Sequence, residues 1–234
     1  MHDSGLGRLI GVLVSPTKTF ESIREKPSWI APLLVLIFLG VFASYLATQK
    51  MDFGEIMRQS AKDRGQEMTE EQAAQAEEMV ERFGKVGAVV APLIISPVVY
   101  LLVALIFWGA FRFFGSSELS YKGSLATTLH GLMPWGVHAL LSIPVILGRE
   151  TIDYAATKRG FVASNLAALA GEDTKGAVLS LMSSLDFFSL WTLVLFIVGY
   201  RTVARVSTAT AATTVIVPWL LYVGVKAGWA ALFG

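Results

Sequence analysis

The sequence predicts an all-α, polytopic membrane protein with five transmembrane helices and an amphipathic segment at its N-terminus. Of its 234 residues, 54% are hydrophobic and only 16% are charged, whereas soluble domains have about 25% charged residues. The apolar residues form blocks long enough to cross a hydrocarbon core of about 30 Å, which takes about 20 helical residues. The predicted spans are 30–48, 86–114, 124–147, 186–203 and 208–232.

Composition and motifs argue against several classes of function. The net charge of +1 lacks the basic excess of a nucleic-acid-binding protein. The absence of cysteine rules out disulfides and thiolate metal sites. Metalloprotease, phosphate-loop and dinucleotide-binding motifs are also missing from the sequence. We therefore expect a non-enzymatic protein with no cofactor, no metal site and no catalytic residue. The first 20 residues lack a basic start and a cleavage site, so we expect no cleaved signal peptide.

Residues 1–29 form the predicted amphipathic segment. Apolar residues recur at helical spacing from Leu6 to Ile23, and Ser15-Pro16 has the pattern of an N-cap followed by a first helical residue. Two interpretations are open: a segment lying in the interface and held by anionic headgroups, or a helix pair packed on the bundle. The residues assigned to the interface are Arg8, Lys18, Phe20, Arg24, Lys26 and Trp29.

The first span, 30–48, contains no charged residue and is followed by a polar loop. In that loop, Thr69 and Gln72 have the spacing of a capping box, which predicts a helix that starts near Thr69 and continues into the second span. Pro92 and Pro97 remove amide hydrogen bonds from that span and predict kinks. The acidic residues of the loop are interpreted as a solvated helical face rather than as a cation site.

The later spans carry more polar and small residues. The third, 124–147, is the most polar and contains Pro134 and Pro144, which predict kinks. A second long loop follows, in which the alanine-rich piece 162–170 is expected to be helical. In the last span, Gly224 and Gly228 are four residues apart, a spacing that predicts close packing against another helix, in the same chain or in a homo-oligomer.

Five ionisable residues are candidates for a polar site: His130, His138, Glu150, Asp153 and Asp186. The last four would lie near the side of the membrane opposite the N-terminus, where they could bind a cation or relay a proton. The alternative is structural: Asp186 caps its helix, and His138 bonds a serine or a carbonyl. His130 and His138 are unsuited to share a metal, because eight residues rotate a helix about 80° past two turns.

Two stretches resemble the Yip1-domain family of bacterial membrane proteins. SPTKTFESIREKPSWIAPLLV, residues 15–35, has the family's serine-proline turn and tryptophan-x-x-proline step, with Trp29 and Pro32. LDFFSLWTLVLFIVGY, residues 185–200, has its aspartate, tryptophan and closing glycine, with Asp186 and Trp191. Phe187-Phe188 departs from the family pattern, where a proline is common. The resemblance implies a five-helix protein of the bacterial inner membrane and carries over no catalytic residues.

Orientation follows from the short segments beside the spans. Those that share a side with the N-terminus are rich in arginine and lysine, which favours a cytoplasmic N-terminus. The resemblance then implies a scaffold or adaptor that organises membrane or recruits a protein partner through its N-terminal segment; eukaryotic members are associated with small GTPases and vesicle traffic. The alternative is a transporter or channel whose polar path includes His130, His138 and Asp186.

Overall fold

The protein is described by a computed structural model at residues 5–63, 65, 68–115, 117–171 and 174–233. Over these residues it is helical, and β-structure is limited to two isolated bridges. A short 3₁₀ turn covers Leu166–Leu169. The helices are α1 (Gly5–Val14), α2 (Pro16–Glu25), α3 (Ile30–Thr48), α4 (Phe53–Asp63), α5 (Glu70–Phe114), α6 (Tyr121–Gly131), α7 (Met133–Leu147), α8 (Tyr154–Arg159), α9 (Gly176–Ser184), α10 (Phe187–Val203) and α11 (Thr208–Phe233).

The predicted fold class is confirmed. Four helical segments in the described chain are long and apolar enough to cross a membrane: Ile30–Thr48, Val89–Phe114, Tyr121–Leu147 and Thr208–Leu232. The remaining predicted span corresponds to α10, an apolar helix of 17 residues. That length is at the lower end of the range of about 17–25 residues for a spanning helix.

The predicted continuous helix from the polar loop into the second span is confirmed. The Thr69 amide donates to Gln72 Oε1 at 3.0 Å, and the Gln72 amide donates to Thr69 Oγ1 at 3.2 Å. This reciprocal pair is the capping box, which satisfies two amides at the start of a helix. From there α5 runs for 45 residues and continues through Pro92 and Pro97.

The third span is interrupted beside Pro134, one of the two prolines at which a kink was predicted, whereas α7 continues through Pro144. It consists of α6 and α7, separated at Leu132, which lies directly before Met133-Pro134. The Leu132 amide still bonds the Thr128 carbonyl at 3.0 Å, and the Trp135 amide bonds the Leu132 carbonyl at 2.9 Å. The break therefore lies two residues before Pro134, which has no amide hydrogen to donate to a carbonyl of the preceding helical turn.

One local prediction was wrong. The alanine-rich piece 162–170 was expected to be helical, but only Leu166–Leu169 is, as a 3₁₀ turn. The reason is that Asn165 pairs with Asp186 and the Leu166 amide bonds the Leu185 carbonyl. The predicted start of α2 is confirmed: Ser15 is the N-cap and Pro16 is the first helical residue, although the Ser15 side chain makes no capping bond. Gly224 and Gly228 do not pack closely within the described chain, since none of its atoms lies within 4 Å of a Cβ built on either residue. Packing of these glycines in a homo-oligomer stays a prediction.

The chain divides into two compact units. Unit 1 contains the described residues of 5–38, 94–137 and 188–222. One part of its core joins residues of α1, α2 and α6 and includes Val12, Phe20 and Leu129. Another part is aromatic, with the Phe111 and Tyr200 rings stacked at a centroid distance of 4.6 Å. The N-terminal helices are thus part of this core.

Unit 2 contains the described residues of 39–93, 138–187 and 223–233. Its small core includes Ala47, Ile146 and Ile152. The chain after α3 pairs with the chain after α7: Met51 forms a bridge with Ile152, and Lys50 Nζ donates to the Leu147 carbonyl at 2.8 Å. A lysine at this position satisfies carbonyls at the C-terminal end of α7, where a cation is favoured.

Candidate functional site

Arg8 links α1 to the end of α2. Its Nη1 donates to the Lys26 carbonyl at 2.8 Å and to Ser28 Oγ at 2.9 Å, and its Nη2 donates to Ser22 Oγ at 2.6 Å and the Ser22 carbonyl at 3.2 Å. Arg8 is only 4% exposed. The expectation that it faces headgroups at the membrane surface was wrong, because the carbonyls at the end of α2 need donors that an arginine fork supplies.

The side chains of Phe20 and Ile23 are fully buried. They pack in the same core cluster as Leu125 and Leu129 of α6, and Trp29 lies against it. Phe20 is therefore a core residue and not a lipid anchor. Of the two interpretations of the N-terminal segment, these contacts support the helix pair packed on the bundle.

The same two helices also present two exposed surfaces. Leu6, Ile10 and Val14 are 67–71% exposed and lie along one side of α1, which we call the apolar stripe. Lys18, Glu21 and Glu25 are exposed along one side of α2, which we call the charged face. Lys26 is also exposed and Arg24 is partly exposed. The basic side chains of this segment that are accessible to headgroups are therefore Lys18, Arg24 and Lys26, and not Arg8.

His130 belongs to unit 1, whereas the other four candidates for the polar site belong to unit 2. Its ring is 1% exposed, and Nδ1 lies 2.8 Å from the Ala126 carbonyl oxygen of its own helix. A carbonyl only accepts, so Nδ1 carries the proton. His130 is therefore a buried core residue whose Nδ1–H is hydrogen-bonded within its own helix.

Asp186 lies in unit 2 and is 4% exposed. Its carboxylate accepts a hydrogen bond from Ser164 Oγ, and the Phe187 amide donates to the Ser164 carbonyl at 2.8 Å. The carboxylate also interacts electrostatically with His138. Asp186 is therefore not simply a cap of α10. Its bond with Ser164 attaches the segment before the 3₁₀ turn at Leu166–Leu169 to the start of α10.

Asp153 and Glu150 have separate surroundings. Asp153 is the N-cap of α8 and accepts from the Ala156 amide at 2.7 Å. Glu150 is exposed. Within the described parts of the chain, no three histidine, aspartate or glutamate side chains are grouped as a metal ion would require.

The sequence analysis missed two polar clusters. Lys226 Nζ donates to Ser183 Oγ at 3.0 Å and to Ser184 Oγ at 3.2 Å. Lys226 is the one charged residue between 208 and 232, so a search for intramembrane charges would have found it. In unit 1 the Tyr200 hydroxyl bonds Ser124 Oγ at 2.9 Å and Thr128 Oγ1 at 2.8 Å. No spacing in the sequence predicts that second cluster.

Comparison with known proteins agrees with the sequence resemblance. The family model of the Yip1 domain matches residues 10–229. "Membrane protein YknW" of Bacillus subtilis (strain 168) is 27% identical over 202 residues, covering 85% of this chain and 79% of the relative. No solved structure matches the chain. The family match includes residues of both units, three candidate spans in full, the fourth up to residue 229 and most of the N-terminal helix pair. The chain belongs to the Yip1-domain family of membrane proteins.

Proposed function

We propose that this protein is a non-enzymatic membrane scaffold or adaptor, which recruits a protein partner through the charged face of α2. The observation that carries the proposal is the contrast within one helix. Phe20 and Ile23 are fully buried in unit 1, whereas Lys18, Glu21 and Glu25 are exposed. A short helix anchored by its apolar side holds its charged side in a fixed orientation, which lowers the ordering cost of binding.

The apolar stripe of α1 is proposed to lie in the membrane interface. Exposed leucine, isoleucine and valine side chains on one side of a helix favour burial at the boundary between headgroups and acyl chains. With Lys18, Arg24 and Lys26 nearby in sequence, the segment fits the cytoplasmic surface of a bacterial inner membrane. This places the charged face of α2 where a cytoplasmic partner could reach it.

The test is crosslinking and copurification from native membranes with the double variant Glu21→Lys, Glu25→Lys. Both residues are exposed, so the variant should accumulate and fold like the wild type. We expect recovery of the partner to fall about tenfold or more, which corresponds to a loss of about 1.4 kcal/mol in binding. Deleting the whole segment is a poorer test, because it would also remove Phe20 and Ile23 from the core.

A matched control is the pair Glu55→Lys, Glu71→Lys, which reverses two charges in the first long loop instead. The control should recover the same proteins as the wild type. Unchanged recovery in the α2 variant, at equal protein level, would contradict recruitment through the charged face.

Transport stays as a second candidate, because the Asp186 carboxylate interacts with His138 inside unit 2. A buried acid close to a histidine is an arrangement used in proton relays. His130, which the predicted path included, is bonded within its own helix. Flux in proteoliposomes that persists in the double variant His138→Ala, Asp186→Asn would eliminate this candidate.

A further inference from the structure

Unit 2 contains a cavity of about 540 Å³ between α3, α5 and α7. Small apolar residues form part of its described wall: Ala43, Ala47, Gly84, Gly87, Ala91 and Ala139. The wall also includes the larger side chains of Met51, Phe53, Phe161 and His138. A Cβ built on Gly87 meets no described atom within 4 Å. The small side chains therefore leave open space between these helices instead of drawing them together.

Four described residues of the wall are polar: Ser44, Thr48, His138 and Ser142. The hydroxyl hydrogens of Thr48 and Ser142 are directed away from the cavity. Thr48 Oγ1 donates to the Ser44 carbonyl at 2.8 Å, and Ser142 Oγ donates to the His138 carbonyl at 2.9 Å. Both bonds lie within a single helix and occupy the hydroxyl donor. The other described residues of the wall are apolar, and that part of the wall holds water poorly, because ordered water needs two to four polar partners.

The cavity lies at the end of the candidate spans that is nearer the two long loops: its wall includes Ala43 and Ala47 of the first span together with Met51, Phe53 and Phe161 of the loops. Consecutive spans cross a membrane in opposite directions, so α3 and α7 end on the side where the span of α5 begins. The ends of α3 and α7 on that side line the cavity. The neighbouring α5 residues Val90 and Leu93 are 41% and 50% exposed, and Phe42 of α3 is 41% exposed. Exposed apolar side chains are thus the sequence neighbours of cavity-lining residues on both helices.

We propose that the cavity is a lipid-binding site that holds one acyl chain of a membrane lipid. An apolar cavity of about 150 Å³ already binds benzene, and this one lies within the range of about 300–1,000 Å³ typical of ligand sites. A single turn of an α-helix, about 10–12 Å across and 5.4 Å long, takes up roughly 400–600 Å³, so a volume of about 540 Å³ holds only about one turn of a partner helix. A flexible acyl chain from the surrounding leaflet suits both this volume and the mainly apolar wall.

Native mass spectrometry of the purified full-length protein in mild detergent tests the proposal. The wild type should retain a phospholipid or a fatty acid, which its mass distinguishes. The variants Gly87→Leu and Ala91→Leu fill the cavity, and we expect lipid retention to fall about tenfold in both. The control Val90→Leu adds bulk to the bilayer-facing side of the same helix and should retain lipid like the wild type.

A second measurement does not depend on these variants folding. The wild type is reconstituted in vesicles that contain a phosphatidylcholine with a photoreactive diazirine in its acyl chain. Crosslinks should concentrate on residues 43–53 and 138–142. Equal lipid retention in the filled variants and the wild type, or crosslinks spread evenly over the bilayer-facing helices, would overturn the assignment.

Discussion

The Phe20 ring packs directly on Gly199. A Cβ added to Gly199 would lie 2.8 Å from Cε1 and Cζ of Phe20, and 2.8 Å from Cγ2 of Thr127. Phe20 belongs to α2 and Gly199 to α10, so the two stretches that carry the family resemblance meet at this point. The glycine that closes the second stretch is there because the phenylalanine of the first occupies the place of a side chain.

Replacing Gly199 with alanine should therefore destabilise the protein. The added methyl group would force Phe20 and Thr127 to move, and both are buried in a packed core. Overpacking of this kind costs about 1–3 kcal/mol. Thermal unfolding in detergent, followed by tryptophan fluorescence or by loss of soluble protein, would measure the decrease.

Gly224→Ala is the matched control, since this glycine also lies within a predicted span but meets no described atom within 4 Å. Alanine has a higher helix propensity than glycine, by up to about 1 kcal/mol, so the control should be neutral or slightly stabilising. Equal behaviour of the two variants would contradict the contact between Phe20 and Gly199.

The hydroxyl of Tyr200 should contribute measurably to stability. It lies between Ser124 Oγ and Thr128 Oγ1, and the side chain is fully buried. Tyr200→Phe keeps the ring stacked on Phe111 but leaves two buried hydroxyls with fewer partners. We expect a loss of about 0.6–2 kcal/mol, within the range for hydrogen bonds in membrane proteins and for buried groups left unpaired.

Tyr222→Phe removes the same hydroxyl from a tyrosine that is 62% exposed, and this control should unfold at the wild-type temperature. The comparison uses the thermal unfolding assay already described. If both variants unfold like the wild type, the hydrogen-bonded cluster around Tyr200 does not stabilise unit 1.

Local patterns in the sequence predicted the fold well. Apolar blocks gave the spans, and Thr69 and Gln72 gave the start of α5, because such patterns depend on residues close in the chain. Arg8 shows the limit of this approach. Helical spacing placed it on a polar surface, but its partners Ser22, Lys26 and Ser28 follow 14 to 20 residues later, and only the packing of α1 on α2 brings them together.

The loop around residue 165 shows the same limit. An alanine-rich segment favours a helix by propensity, yet the backbone of Asn165 pairs with that of Asp186. Tertiary hydrogen bonds outweighed a local preference of a few tenths of a kcal/mol per residue. The candidate site was predicted least well, because convergence of polar side chains depends on such distant pairings.

Asp63 connects the two long polar loops, and this connection should fail in acid. Lys175 Nζ lies 2.9 Å from Asp63 Oδ1, and Lys158 Nζ lies 3.7 Å from Oδ2. The hydrogen bond from Lys175 holds the pKa of Asp63 below its ordinary value of 3.8; a bond from Tyr154 and the two lysine charges act in the same direction, and burial opposes them.

Because the pKa of Asp63 is lower in the folded protein than in the unfolded chain, its contribution to stability is complete above pH 3.8. The contribution is lost as the pH falls below that value and through the folded-state pKa. Asp63→Asn should remove it at every pH and cost about 0.2–1 kcal/mol, since both lysines are partly exposed.

Spin labels can follow this loss directly, because the chain has no cysteine of its own. Labels at Arg58→Cys on α4 and Thr157→Cys on α8 would report the distance between the two loops by pulsed electron resonance. At neutral pH the distribution should be narrow in the labelled parent and broad after Asp63→Asn. Below pH 3.8 the parent should broaden toward the variant, whereas the variant should not change further. A parent distribution that stays narrow through this range, or broadens equally in the variant, would show that Asp63 does not hold the loops together.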